Sequence, residues 1–487
     1  MLLLGSAPAR AQAFPAPMIE TTLQAGFEAI AERHLDPVTP PDLALWALRG
    51  LTALEPGFDV ESRDGVLRVS LLGRSLAQRA TPGTLAEAAT ALSWLYGAAW
   101  GVSPTLRRAG ADALLQASFD EVFNHLDPYS RYVSPTTADS DRDRRMGTAG
   151  LGLQVEGGPR GATVLAVMPD SPAEAAGLQP GDVLLSLNGI TLARQTPDRL
   201  AALLEGPLGS RARLRVQRGR GQRNIVLRRE VVPPQTVRSA RQGDVLVLRI
   251  TAFSSDTADQ LGEALLMAFD HPAAPAPRSL VLDLRGNRGG FLREAIRVVD
   301  NILSAGIVTR TDGRHPDARR VWHAAGMDLT QGRPIAILVD GRTASSAEIV
   351  TAALSDNGRA AVVGSATMGK GLIQILVPLP NEGELSLSWS RILAPDGWPL
   401  QSLGVLPALC TSLGADGTTR GLERLAQGDA PMGAVLRRQR QARVPVLPSE
   451  ITALRGACPP AEGRDGDLQA AVTLLSNPEA YRTATAK

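Results

Sequence analysis

Histidine is scarce: the 487 residues contain five, His34, His125, His271, His315 and His323. None falls in a motif that would mark a Ser-His-Asp triad. Cysteine is scarcer. Cys410 and Cys458 have neither CxxC spacing nor a neighbouring His pair, which argues against a structural zinc site. They are either one disulfide closing the C-terminal segment or two separate buried thiols. Aromatic residues make up 4% and the formal net charge is +2. A nucleic-acid binder usually shows a concentrated basic face with stacking rings, so that class is set aside. No stretch approaches the roughly 18 consecutive apolar residues of a membrane-spanning helix.

What is present is an ordinary globular composition, 44% hydrophobic and 21% charged, in a chain too long for one core. The apolar stub Met1 to Leu4 leads to Ala11-Gln12-Ala13, a small-x-small pattern that predicts signal-peptide cleavage before Phe14, although the basic and longer apolar parts of a leader are missing. Residues 1–13 are therefore read as a truncated leader, and export is expected.

From 14 to 146 apolar residues recur every three or four positions, as in Thr22 to His34, Pro41 to Leu54 and Leu106 to Leu126, predicting a helical N-terminal domain. Within it, Phe58 to Leu72 alternates like a half-buried hairpin. Leu54-Glu55-Pro56-Gly57 and Leu126-Asp127-Pro128-Tyr129 echo each other, without proving a duplication. Residues 147–233 read as short strands between Gly and Pro turns, with helices at Ser171 to Ala176 and Pro197 to Leu204. Residues 234–409 alternate strands and helices, predicting an α/β core with right-handed crossovers. Residues 410–487 are Arg-, Pro- and Gly-rich up to a closing helix, Asp467 to Leu475, and read as a peripheral extension. The expected class is a multidomain α+β and α/β chain.

Within the second region, Gly150-Leu151-Gly152-Leu153, Ser171-Pro172-Ala173, Gly177-Leu178, Gly181-Asp182-Val183-Leu184 and Asn188-Gly189 follow in an order that resembles a PDZ domain of the circularly permuted kind found in bacterial proteases. In such a module a Gly-rich turn frees backbone N–H groups for a terminal carboxylate, and the adjoining strand edge pairs with an extended peptide. Leu151, Gly152 and Leu153 are the expected carboxylate loop. Asp182 is read as turn structure. The arginines Arg211, Arg213, Arg215, Arg218, Arg220 and Arg223 are read as a solvated strand face rather than a site for an acidic partner.

The segment Val339-Asp340-Gly341-Arg342-Thr343-Ala344-Ser345-Ser346 joins an apolar strand to a helix through small residues. Alone, a serine there would be an N-cap. Met368-Gly369-Lys370-Gly371, with Gln374 beyond, changes that reading. The spacing, 25 positions from Ser345 to Lys370 and four more to Gln374, resembles the C-terminal processing peptidases, or tail-specific proteases. Asp283-Leu284-Arg285-Gly286-Asn287-Arg288-Gly289-Gly290 resembles that family's strand and glycine turn, with Gly286 and Arg288 as departures. The resemblance extends from about Pro41 to Leu406 and implies a core related to the Clp-protease and crotonase folds.

It also implies the chemistry. A serine hydroxyl attacks a peptide carbonyl only when a base takes its proton, and a lysine serves when it is neutral, a form that burial favours. Ser345 is then the nucleophile, Lys370 the general base and Gln374 the group that orients the amine. Backbone donors of Ser346 and of Gly289 or Gly290 form the oxyanion hole. Ser346, 24 positions from Lys370, is the rival nucleophile; Asp283 and Arg285 are read as strand-end structure. In the family, Arg usually stands where Glu205 stands here and is implicated in coupling the PDZ domain to the site, so PDZ gating does not carry over to this chain as it stands.

The resemblance thus implies an ATP-independent serine endopeptidase of the periplasm or cell exterior of a bacterium. It would act on unstructured C-terminal tails, need no cofactor or metal, and leave room for an adaptor protein and for oligomers. A catalytically inactive PDZ scaffold is the alternative, and an acyl-CoA enzyme is a third reading that the PDZ insertion disfavours.

Overall fold

The structure, a computed structural model, describes residues 13–138, 149–168, 171–270 and 275–486. The expected leader up to Gln12, the junction at Met146 and Gly147, and His271 lie outside the described residues.

Four helices, Ala16–Arg33, Pro40–Leu54, Leu85–Val102 and Pro104–Asn124, surround the N-terminal core. Their starts follow from local chemistry. Thr39 accepts from the Asp42 N–H ahead of two prolines, Thr84 and Glu87 form a reciprocal capping box, and Ser103 caps the helix that Pro104 opens. The single helix expected over Leu106 to Leu126 is broken at Gly110, whose φ of 88° no helix admits.

The expected hairpin is a three-stranded meander, Phe58–Arg63, Val66–Leu71 and Arg74–Ala80. Its turns, Asp64-Gly65 and Leu72-Gly73, both have two consecutive positive φ values, the geometry that matches strand twist in two-residue hairpins. The third strand buries only Ala77, which is why its sequence carries no alternation. Leu23, Phe27, Leu48, Leu92, Leu115 and Phe119 fill this core together with Leu385 and Leu387 from a strand some 250 residues later, so the helical unit rests directly on the third unit.

The second unit is a sheet in the order Gly221–Arg228, Arg211–Arg218, Val183–Leu187, Ala162–Val167, Leu153–Gly157, with helices Pro172–Ala175 and Pro197–Leu204. Arg211, Arg213 and Arg215 are exposed on one face. Arg218 is exposed as well, and its guanidinium grips the buried Asp182 carboxylate at 2.6 and 2.7 Å.

The third unit holds a six-stranded sheet in sequential order: Val237–Gln242, Val245–Ile250, Ser279–Asp283, Ile335–Val339, Ala361–Gly364 and Leu409–Cys410. The first pair is antiparallel and the rest are parallel. Both faces are covered. Leu280, Leu282, Ile335 and Ile337 pack on helices Thr257–Phe269, Leu292–Asp300 and Ser346–Asp356. Val281, Ala336, Leu338 and Val363 pack on Leu425, Ala470, Ala471, Leu474 and Ala480. Double burial explains why these strands read as unbroken apolar runs. A second sheet pairs Glu384–Leu393 with Leu372–Pro378, Ile307–Asp312 and the short Arg131–Val133 from the N-terminal unit.

The C-terminal region corrects the expectation of a peripheral tail with one closing helix. It forms five helices, Ala415–Ala426, Gly433–Gln441, Pro448–Gly456, Asp465–Leu475 and Pro478–Thr485, three of which supply the second cover of the sheet. Cys410 and Cys458 form a disulfide with Cα atoms 5.8 Å apart, tying the last sheet strand to the end of the third of these helices, 48 positions on. Closing a loop of that length restricts the unfolded chain by about 2–4 kcal/mol. Reduction, or Cys458→Ser, is expected to lower the thermal midpoint by several degrees in a calorimetric scan; an unchanged midpoint contradicts the staple role.

Candidate active site

Two turns at the ends of neighbouring parallel strands build the site. After Val339, the Asp340 carboxylate accepts from the N–H groups of Gly286, Arg342 and Thr343 at 2.9–3.0 Å, and Thr343 Oγ1 donates to Leu284 O at 3.0 Å. This locks the turn before Ser345 to the turn after Leu284. Asn287 completes the lock, its Nδ2 donating to Ile250 O at 2.9 Å and its carbonyl accepting from Ala344 N–H at 2.9 Å. Asp283 and Arg285 pair at 2.8 Å and Arg285 reaches Asp467, so both act in strand-end structure.

Ser345 heads the helix Ser346–Asp356 with φ 56° and ψ −119°, a backbone conformation sparsely populated by residues other than glycine. Its neighbour Ser346 is buried and commits its hydroxyl to Gly290 O at 2.8 Å. Gly289 lies so close that a Cβ there would stand 2.8 Å from Ser345 Cβ and 3.0 Å from Ser346 N. The two glycines differ in one respect: Gly289 N–H donates to Asn287 Oδ1 at 2.8 Å, whereas Gly290 N–H has no acceptor among the described residues.

The residue that gathers the site is Glu348, fully buried and missed by the sequence reading. Its Oε2 accepts from Ser345 N–H at 2.8 Å and from Lys370 N–H at 2.9 Å. Its Oε1 accepts from Gly369 N–H at 2.7 Å and from Thr367 Oγ1 at 2.5 Å. One oxygen atom thus touches the backbone nitrogens of both Ser345 and Lys370, residues 25 positions apart, and the two nitrogens stand no farther apart than those two bonds allow. The signal was in the sequence: Ser345-x-x-Glu348 is the spacing of a capping box. Burial pushes the Glu348 carboxyl above its ordinary range, against the pull of these four donors.

The Lys370 side chain is half-buried and its Nζ stands 5.6 Å from the centre of the Tyr129 ring, which the N-terminal unit contributes. Gln374 lies on the strand Leu372–Pro378 and its Nε2 donates to Ser388 Oγ at 3.0 Å; no hydrogen bond joins it to Lys370 among the described residues. Ser388 Oγ in turn donates to Asp127 Oδ1 at 2.8 Å, and His34 Nε2 lies 2.9 Å from Asp127 Oδ2. Here the carboxylate separates serine from imidazole, so these three do not make a triad. Burial would raise Asp127, but hydrogen bonds from His34, Ser130, Ser388 and the Tyr129 N–H prevail and hold its carboxyl well below the usual range.

In the second unit, Leu151 is buried, Gly152 has φ 74°, and Leu153 opens the edge strand beside helix Pro197–Leu204. A Cβ on Gly152 would stand 2.1 Å from Ser171 Cβ. The backbone carbonyls of Leu151 and Gly152 are taken by the N–H groups of Ala173 and Met168, while their own N–H groups have no acceptor among the described residues. Glu205 is exposed. Beside it, the buried Arg229 donates to Leu203 O, Leu204 O and Ser210 Oγ.

Comparison with known proteins agrees with this layout. Residues 244–409 match peptidase family S41 and residues 163–218 match the PDZ domain. The chain is 31% identical over 297 residues to a carboxy-terminal-processing protease of Bartonella bacilliformis, covering 60% of this chain and 68% of that one. It is 28% identical over 313 residues to a probable CtpA-like serine protease of Staphylococcus epidermidis, covering 63% and 62%. Among solved structures, the photosystem II D1 C-terminal processing protease aligns at 22% identity and a TM-score of 0.43, over 82% of this chain and 97% of that one. The chain belongs to peptidase family S41, among the carboxy-terminal-processing serine proteases, and carries a PDZ domain.

Proposed function

We propose that the protein is an ATP-independent endopeptidase that captures unstructured C-terminal tails on the Leu151–Gly152–Leu153 loop and cleaves upstream through an acyl-enzyme on Ser345. Lys370 takes the Ser345 proton as the hydroxyl attacks and returns it to the leaving amine. The observation that carries this reading is the single Glu348 oxygen shared by the Ser345 and Lys370 N–H groups, which draws the two turns into one site. The oxyanion is assigned to the N–H groups of Ser346 and Gly290, because the Gly289 N–H is already engaged by Asn287. Gln374 presents its carbonyl end to the Lys370 amine, its NH2 being held by Ser388.

Tail capture rests on the edge strand Leu153–Gly157, where an added peptide strand finds backbone partners, and on the N–H groups of Leu151 and Gly152 for its carboxylate. The disulfide favours an oxidising compartment and hence export. The test is cleavage of tail peptides with varied final residues, with binding followed by fluorescence anisotropy. Ser345→Ala and Lys370→Ala are expected to abolish cleavage and keep binding. Cleavage undiminished in either variant rejects the dyad, and binding without cleavage by the wild type favours an inactive scaffold.

A further inference from the structure

The N-terminal unit reaches the site through one turn. Asp127 Oδ1 accepts from the N–H groups of Tyr129 and Ser130 at 2.8 and 3.0 Å, and Oδ2 accepts from Ser130 Oγ at 2.5 Å. Ser130 Oγ also accepts from Ser388 N–H at 2.9 Å, and the strand that follows, Arg131–Val133, pairs with Glu384–Leu393. The same carboxylate therefore sets the Tyr129 ring beside the Lys370 amine and holds the Ser388 hydroxyl. Ser388 is fully buried and is the cross-strand partner of Gln374.

This chain of hydrogen bonds has a direction. A carboxylate only accepts, so Ser388 spends its single proton on Asp127. The Ser388 oxygen is then left as an acceptor, and only the NH2 end of the Gln374 amide satisfies it. The carbonyl end of Gln374 must face away. An amide free to flip would present NH2 to the lysine amine half of the time, donor against donor.

We propose that Asp127, acting through Ser388, fixes the orientation of the Gln374 amide so that its carbonyl accepts from the Lys370 amine, making Asp127 and Ser388 positioning residues of the proteolytic site. The proposal rests on the assignment of Lys370 as the base. The charged or titratable groups around this turn include His34, fully buried and bonded to Asp127, His125 and Asp120, which share a cavity wall with Asp127, Arg131 on the following strand, and Lys370 beside the Tyr129 ring.

The test is steady-state cleavage of an internally quenched tail peptide by the full chain carrying Ser388→Ala, Ser388→Thr or Asp127→Asn. Ser388→Ala is expected to lower kcat roughly ten- to a hundredfold, the scale of a misaligned catalytic group, with KM within about twofold. Ser388→Thr, which keeps the hydroxyl, is expected to recover most of the loss, a rescue that mere packing would not produce. Should Asp127→Asn fail to fold, the Ser388 pair decides alone. A wild-type kcat in Ser388→Ala, or a loss that Ser388→Thr does not recover, overturns the proposal. Lys370→Ala in the same assay separates the two readings: if it cleaves like the wild type, the dyad itself is wrong, whereas an inactive Lys370→Ala beside a fully active Ser388→Ala sinks the positioning role alone.

Discussion

Glu348→Ala is expected to silence cleavage about as far as Lys370→Ala does, although Glu348 touches no substrate. The carboxylate accepts from both turns, beside a single backbone bond from Met368 N–H to Thr343 O at 2.9 Å. Its removal strips the partner from four buried donors, the N–H groups of Ser345, Gly369 and Lys370 and the hydroxyl of Thr367. An orphaned buried donor costs about 1–3 kcal/mol, so the turns will move rather than stay unpaired, and a shift of about 1 Å between reacting groups is worth roughly a hundredfold in rate. Glu348→Gln is expected to do little better. Its one carbonyl serves two of the donors, while its NH2 points at the other two. Peptide cleavage and a melting curve on the same preparations check this, and either variant within about threefold of wild-type kcat refutes the clamp.

The same residue sets a pH dependence whose two parts run in opposite directions. Burial raises Glu348, so its contribution to stability is fully present below its unfolded-state value and is lost as pH rises through the raised folded one. The ionised form, the one that accepts from all four donors, exists above that point. Activity is thus expected to fall on acidification while the pH is still above the ordinary carboxylate range. Asp127 behaves conversely: held low, it contributes stability above its unfolded-state value and loses it only as pH falls toward its folded value. On lowering the pH, cleavage should fade before circular dichroism reports unfolding.

Much of this was legible because strong local signals coincided with tertiary ones. The strands from Val245 to Gly364 are buried on both faces, so they read as apolar runs, and the helices Thr257–Phe269, Leu292–Asp300 and Ser346–Asp356 fall between them in the expected alternation. The Ser345 and Lys370 turns stood out because small residues and glycines are needed where two backbones meet. What escaped was held by long-range partners. Asp127, Ser388 and Tyr129 gain their relation to Gln374 and Lys370 only when a strand from the N-terminal unit joins the second sheet. Four of the five C-terminal helices escaped for another reason. The helix that was expected, now Asp465–Leu475, brings Ala470, Ala471 and Leu474 to the sheet, whereas Ala415–Ala426 offers Leu425 among arginines and glycines that dilute the helical period.

The adjacent glycines Gly289 and Gly290 are expected to fail in different ways when each is replaced by alanine. Both have positive φ, 95° and 149°, where a Cβ is strained whatever the space. At Gly289 the added carbon meets the catalytic turn, 2.8 Å from Ser345 Cβ, 2.9 Å from Ala344 O and 3.0 Å from Ser346 N. The turn gives way, and with it go the aim of the hydroxyl and the Ser346 N–H proposed for the oxyanion, a donor of a kind worth about a hundredfold or more in rate. Gly289→Ala should therefore fold, bind tail peptides as the wild type does, and cleave them at least a hundredfold more slowly. At Gly290 the carbon would stand 2.1 Å from Phe253 O and 2.7 Å from Phe253 C, backbone that bridges to Gly290 and accepts from Phe291 N–H. No side chain can rotate to relieve that contact, so the bridge itself must open. Gly290→Ala should lower the thermal midpoint by roughly 5 °C or more, corresponding to about 2 kcal/mol in a cooperative unit of about 150–250 residues, and lose activity as well. Calorimetry beside peptide cleavage decides it: wild-type cleavage by Gly289→Ala, or a Gly290→Ala midpoint no lower than that of Gly289→Ala, contradicts the assignment of one glycine to the nucleophile's turn and the other to the strand beneath it.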